Sequence, residues 1–287
     1  MDYKIIVDSC GELTRRMKES GVYKSAALSM QVDGDTILDD ETFDQAEFLR
    51  RVAASPECPK SSCPSPEEYM KLYEGSEQRV YVVTLSSELS GSYNSAHLGS
   101  RLWSEEKKNK AMDSAGDKRI YVFNSRSASV GETLIAMKIK ECEDQGMDFD
   151  EVVRTVEDYI SGQNTYFVLE NLDTLRKNGR LTGIKSFVAS ALNIKPVMGS
   201  TPEGTICQLG QARGIRRATA KMADYIVRDG KKTEKKVLAI AHCNCPERAR
   251  EVERMLLDRI SVQDSFIVDT AGISTMYAND GGIIVVL

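Results

Sequence analysis

Residues 79–93 read Arg79-Val80-Tyr81-Val82-Val83-Thr84-Leu85-Ser86-Ser87-Glu88-Leu89-Ser90-Gly91-Ser92-Tyr93. The stretch opens as a near-continuous apolar strand, breaks into a loop of small hydroxyl residues, and predicts a helix from about Tyr93 to Trp103. A strand without polar alternation is one buried on both faces, as in a parallel sheet covered by helices. The same grammar recurs on either side. Residues 4–9, KIIVDS, read as a strand opening into a turn. Residues 119–125, RIYVFNS, read as a strand followed by the small-residue loop 126–131 and a helix over 132–146. Alternating strands and helices of this kind predict an α/β fold with a mainly parallel sheet, in which ligands sit beyond the carboxyl ends of the strands.

Further out, residues 43–55 show helical spacing, with Phe43, Phe48 and Val52 on one side. The polar segment 56–65 follows. Ser65 then reads as an N-cap, with Pro66 at the first helical position and Glu68 closing a capping box; that helix ends at Gly75. Residues 148–162 form another amphipathic helix through Phe149, Val152, Val156 and Ile160. A second pattern begins near Thr165. It predicts a strand over 165–169, a helix stopped by Gly179, and a helix over 183–193. A hairpin around the turn 201–204 comes next, then a long basic helix over 212–230. A strand at 236–243, a helix at 246–260 and strands at 264–271 and 281–287 complete it. The expected division is two α/β domains, 1–162 and 163–287, with the head-group loops described below in the first.

Bulk properties exclude several classes. Hydrophobic residues are 41% and charged residues 28% of 287, and the net charge is −5, which argues against general binding to nucleic acid. No apolar run approaches the ~20 residues that span a bilayer. The start MDYKIIVDSC lacks the basic and apolar regions of a signal peptide, so a cytoplasmic location with free cysteines is expected. The seven cysteines have irregular spacing, and Cys243-x-Cys245 lacks the partners of a zinc site, so no metal and no cofactor is expected.

Three constellations carry chemistry. In residues 86–92, hydroxyls and a helix N-terminus can hold an anion, and Gly91 lets a ligand approach the backbone; a serine-rich helix start has the same appearance. In Lys60-Ser61-Ser62-Cys63-Pro64-Ser65 the pre-proline Cys63 is held extended, which aims Ser61 or Ser62 toward a cleft. Beyond the helix stop at Gly179 stands Arg180, and Arg213, Arg216 and Arg217 crowd a helix start that disfavours cations; both suit a partner or a solvated face. For hydrolysis there is no G-x-S-x-G elbow, and of two histidines only His242, at a strand end, is placed to serve a nucleophile such as Ser90. No dinucleotide fingerprint or Walker loop occurs.

Taken together, these motifs resemble the DegV family of bacterial lipid-binding proteins, in order and spacing over nearly the whole chain. Ile6-Val7-Asp8-Ser9 with Leu13 resembles the family's opening D-S-(T)-x-x-L, and Ser61-Ser62-Cys63-Pro64-Ser65 its T-S-Q-P-S. Residues 86–93 resemble S-S-x-L-S-G-T-Y, Asn124-Ser125 through Gly131 resembles D-S-x-x-x-S-x-G, and Leu172 through Leu181 resembles L-x-x-L-x-x-G-G-R-I. Ile194-Lys195-Pro196-Val197 and Arg213-Gly214 follow in family order.

The resemblance implies two α/β domains with a long-chain fatty acid in a buried slot between them. It implies head-group contacts from the hydroxyls of Ser61 and Ser90, with Ser62 and Gly91 beside them. It further implies a non-catalytic protein that presents the carboxylate to a fatty acid kinase for acyl-phosphate formation, with Arg180 and Arg213 matching arginines tied to that step or to docking. Transient membrane contact fits such a role; a transmembrane segment does not. The alternative is a serine-dependent lipid ester hydrolase using Ser90 and His242. Cys63 stands where the family has glutamine and Asn124 where it has an acid. The family's C-terminal H-T-G-P-G loop is not recognisable, the nearest region, Met276 to Gly282, having no histidine.

Overall fold

The computed structural model describes residues 2–109, 118–181 and 193–287. The helix expected over 183–193 lies almost wholly outside the described residues.

The first lobe is built on a four-stranded parallel sheet of order β2-β1-β6-β7, from β1 (Tyr3–Asp8), β2 (Tyr23–Ala26), β6 (Arg79–Thr84) and β7 (Arg119–Asn124). Successive side chains of a strand point to opposite faces. Ile5, Val7, Tyr81, Val83 and Phe123 accordingly pack on one side, against α5 (Val130–Asp144) and α6 (Phe149–Ser161). Ile6, Val80 and Val82 pack on the other, against α3 (Pro66–Tyr73) and α4 (Ser92–Asn109). The strands are apolar throughout because both faces are covered, as their sequence requires. Ser65 caps α3 in a complete capping box with Glu68. A five-residue helix, α1 (Arg15–Glu19), packs beside β2.

A small antiparallel sheet of order β4-β3-β5 was not legible in the sequence: β3 (Ser29–Val32), β4 (Asp35–Leu38) and β5 (Lys60–Ser62). The segment 56–65, read from sequence only as polar, supplies β5, a strand of three residues between Pro59 and Pro64. Three residues are too few to show a period. Met30 of β3, Phe48 of α2 (Gln45–Ala54) and Ile273 and Met276 of α10 (Gly272–Ala278) form the core beneath it.

The second lobe carries a six-stranded sheet of order β10-β9-β8-β13-β11-β12. Its strands are β8 (Thr165–Val168), β9 (Ile194–Ser200), β10 (Ile206–Arg213), β11 (Val237–His242), β12 (Asp264–Asp269) and β13 (Ile283–Val286). Only the β11–β12 pair is parallel; β9 and β10 form the expected hairpin around residues 201–204. One face is covered by α8 (Ile215–Asp229) and α9 (Pro246–Leu257). The other turns Phe167, Leu169 and Met198 toward the first lobe, next to α7 (Asp173–Lys177). Helix α5 joins the lobes: Ile135 and Ile139 pack on the parallel sheet, while Val130 and Leu134 pack on Ala239, Ala241 and Val286. No helix among the described residues is long and apolar enough to cross a membrane.

Candidate functional site

Between the lobes lies a cavity of about 380 Å³, within the range of roughly 300–1,000 Å³ usual for small-molecule sites. Thr165, Phe167 and Leu169 line it from one face of β8 and its exit, so the slot runs along that strand. Leu85 and Leu89 line it from the loop after β6, Ile206 and Ile284 from the second lobe, and Ile273 from α10. These side chains make its middle apolar.

All four sequence-predicted ligand residues, Ser61, Ser62, Ser90 and Gly91, line this one slot. The loop bearing Ser90 is held by Asp8, buried at the end of β1. Its Oδ2 accepts the Leu85 N–H at 2.8 Å and the Ser92 hydroxyl at 2.6 Å, and its Oδ1 accepts the Cys10 N–H at 3.1 Å. Burial nevertheless raises its pKa from the ordinary carboxyl value. Asn124 braces the same loop, accepting the Ser87 N–H at 3.1 Å and donating to Ser87 Oγ at 2.8 Å. Ser90 Oγ accepts the Ser92 N–H at 3.2 Å. That bond occupies a lone pair and leaves the hydroxyl proton to be donated. A Cβ on Gly91 would stand 3.2 Å from Cys63 Sγ, so the absent side chain keeps the two loops in close contact.

Ser61 sits opposite Met30 in the β3–β5 ladder, and its Oγ is 2.9 Å from the Tyr277 hydroxyl. Tyr277 was not expected in the site. Its helix, α10, is rich in small residues and shows no apolar period, and its side chain meets Ser61 across 216 residues of sequence. Burial raises the Tyr277 pKa, against a smaller opposing effect of Ser61.

Arg180, read from sequence as a docking residue, also lines the slot. Its placement follows from the stop of α7. Gly179 takes φ +76°, Arg180 N–H donates to Leu175 O at 2.8 Å, and Gly179 N–H to Arg176 O at 3.1 Å, the Schellman pattern. The side chain then crosses to the first lobe, donating from Nε to Leu89 O at 3.1 Å, bonding Asn178 O through Nη1, and lying 5.8 Å over the Tyr277 ring. Arg213, by contrast, is exposed at the end of β10 and does not line the slot.

His242 does not line it either. Its Nδ1 accepts the Cys245 N–H at 3.3 Å and stands 3.5 Å from Asp269, and burial lowers its pKa. The structure therefore does not bring Ser90 and His242 together as a nucleophile and base in this slot.

Behind the wall near Cys10 and Ser129 lies an unforeseen group of buried carboxyls. Glu12 Oε2 accepts the Ser129 hydroxyl at 2.7 Å, and burial pushes the pKa of Glu12 up to about 7. Asp39 accepts the Gly272 and Ile273 N–H groups at 2.7 and 2.8 Å, and burial raises its pKa to about 6. Glu132 is fully buried beside Asp8; burial and then the Asp8 charge hold it well above the ordinary range. Among the described residues, no His, Cys, Asp and Glu cluster has the arrangement of a metal site.

The fold and the slot define a class: a two-lobed α/β protein with a largely apolar channel between its lobes and hydroxyls in the channel wall. The model of the DegV family, described as "Uncharacterised protein, DegV family", matches residues 2–286, and the chain belongs to that family. It is 31% identical over 287 residues to a DegV domain-containing protein of Streptococcus pneumoniae, covering 99% of this chain and 98% of that one. Among solved structures it is similar to a DegV family protein from Ruminococcus gnavus, described with vaccenic acid, at 61% identity and a TM-score of 0.95, with 100% of both chains covered. It is also similar to the Fatty Acid Kinase (Fak) B3 protein of Streptococcus pneumoniae, loaded with linoleic acid, at 30% identity and a TM-score of 0.86, covering 100% of this chain and 99% of that one.

Proposed function

We propose that this protein binds one long-chain fatty acid in the slot between its lobes and presents the carboxyl group to a fatty acid kinase, without itself catalysing a reaction. The observation that carries the reading is that Ser61, from β5, and Ser90, from the loop after β6, line one largely apolar slot. The bound vaccenic and linoleic acids of the two similar proteins, and the kinase named for one of them, support it.

The chemistry is balanced by position. A carboxylate taken from water into an apolar site is costly unless it is hydrogen-bonded. The Ser61 and Ser90 hydroxyls donate to it, Ser62 and the bare Gly91 backbone border it, and Arg180, which lines the same slot, offsets its charge. A C16 tail adds roughly 10 kcal/mol gross at about 0.8 kcal/mol per buried CH₂. The tail thus supplies affinity and the hydroxyls supply orientation. Arg180 and the exposed Arg213 are assigned to the encounter with the kinase. The division of the chain into 1–162 and 163–287 is part of the same proposal, with the head-group loops in the first part. A cytoplasmic site of action fits a carrier serving a kinase.

Native mass spectrometry of the protein purified from bacteria is expected to show a single co-purified C14–C18 acid. Protein that carries no acid and takes up no labelled acid would overturn the reading.

A further inference from the structure

The slot has a second polar stretch in its lining. Ser61 meets Tyr277, and Arg180 lies over the Tyr277 ring and reaches Leu89 O, next to Ser90. Thr165, which opens β8, also lines the slot; it stands four residues before Leu169 on the same face, roughly 13 Å at about 3.3 Å per residue. Its Oγ1 is 2.6 Å from Ser127 Oγ, and both hydroxyls are buried. Ser200 and Thr205, from the ends of the β9–β10 hairpin, line the same region. Behind Ser127 lies the Gln163 amide, with Oε1 and Nε2 both buried and neither one bonded among the described residues. Gly131 makes room for this: a Cβ there would stand 2.0 Å from Ser127 Oγ and 2.8 Å from Gln163 Nε2.

A wall that faces only hydrocarbon gains nothing from such a nest, because the lone pairs left over by the hydroxyls go unmatched there. The region is also fixed in place. Ser86 donates from N–H to Ser127 O at 3.0 Å and from Oγ to Gly204 O at 2.9 Å, which ties the first lobe to the hairpin turn of the second.

We propose that this stretch is a second polar subsite, and that the ligand class it selects is an oxygenated long-chain acid, carrying a hydroxyl along its chain. The inference rests on the fatty-acid reading above and narrows it. Ser127 Oγ also donates to Ala128 O at 3.4 Å, so Thr165 is the donor to Ser127 and the pair keeps lone pairs to spare. A ligand hydroxyl can donate to one of these lone pairs while the apolar part of the slot holds the rest of the chain.

The test is displacement of a fluorescent fatty acid by stearic acid and by hydroxystearic acids whose hydroxyl is walked from carbon 9 to carbon 17. At least one isomer is expected to bind about tenfold more tightly than stearic acid, the gain of one to two buried hydrogen bonds. The double variant Ser127→Ala, Thr165→Val should erase that preference. Gln163→Leu should lower the preference too, and provides the reading if the double variant does not fold. Stearic acid outcompeting every isomer on the native protein, or a preference that survives these substitutions, would overturn the subsite alone. Failure of stearic acid itself to bind would strike the fatty-acid reading, and this inference with it.

Discussion

Ser87 and Ser90 stand three positions apart in one loop and do different work. Ser87 accepts a hydrogen bond from Asn124, whereas Ser90 lines the slot with its proton free to donate. Ser90→Ala is therefore expected to weaken acid binding about tenfold, the value of a hydrogen bond to a charged group, and Ser87→Ala far less. Titration of both variants with a labelled acid checks this; equal losses would refute the assignment. Glu12 makes a second residue-scale prediction. Burial raises its pKa from 4.5 to about 7, so the folded state holds a proton that the unfolded chain releases near pH 4.5. The contribution is complete below the unfolded value and is lost as pH rises through the folded one. Stability is expected to fall by about 3 kcal/mol across that window from this group, and Asp39, raised to about 6, acts in the same sense. Urea unfolding from pH 4.5 to pH 8 should show the fall, and Glu12→Gln should reduce its slope; an unchanged slope would show that Glu12 does not titrate there.

At the scale of elements, the site depends on how strands and helices end. The loop after β6 is shaped by Asp8 at the end of β1, and Arg180 is aimed by the stop of α7. Gly179 holds φ +76° with no neighbour near its missing Cβ, so Gly179→Ala is strained by backbone conformation alone. The cost is expected to be about 1 kcal/mol in unfolding free energy. Acid binding should weaken too, as Arg180 loses its alignment on Leu89 O. A variant as stable as the native protein would show that the helix stop is relaxed elsewhere. The capping box of α3 and the stop at Gly179 were both legible, because capping depends on a few neighbouring residues. The strand β5 and the helix α10 were not. Their three and seven residues are too short or too uniformly small to show a period, and the contacts that hold them come from distant parts of the chain.

For the whole molecule, the slot divides the core into two lobes joined by α5, so a ligand that fills it stabilises both. Acid at one hundred times its Kd adds about 2.7 kcal/mol to the folded state. At roughly 2–4 °C per kcal/mol for a chain of this size, delipidated protein should melt several degrees below the loaded form and recover on adding acid. A melting temperature indifferent to acid would show that no acid is held between the lobes.

Local chemistry was enough to determine the parallel sheet of the first lobe, the caps, the hairpin at residues 201–204 and the hydroxyl loop at 90. The residues that specify those features are neighbours in sequence. The pairing of Ser61 with Tyr277, the turning of Arg180 into the slot, the exclusion of His242 and the polar nest of Ser127 and Thr165 were decided only by the tertiary structure. Each joins segments separated by dozens to hundreds of residues, and side-chain patterns carry no information about which distant surfaces will meet.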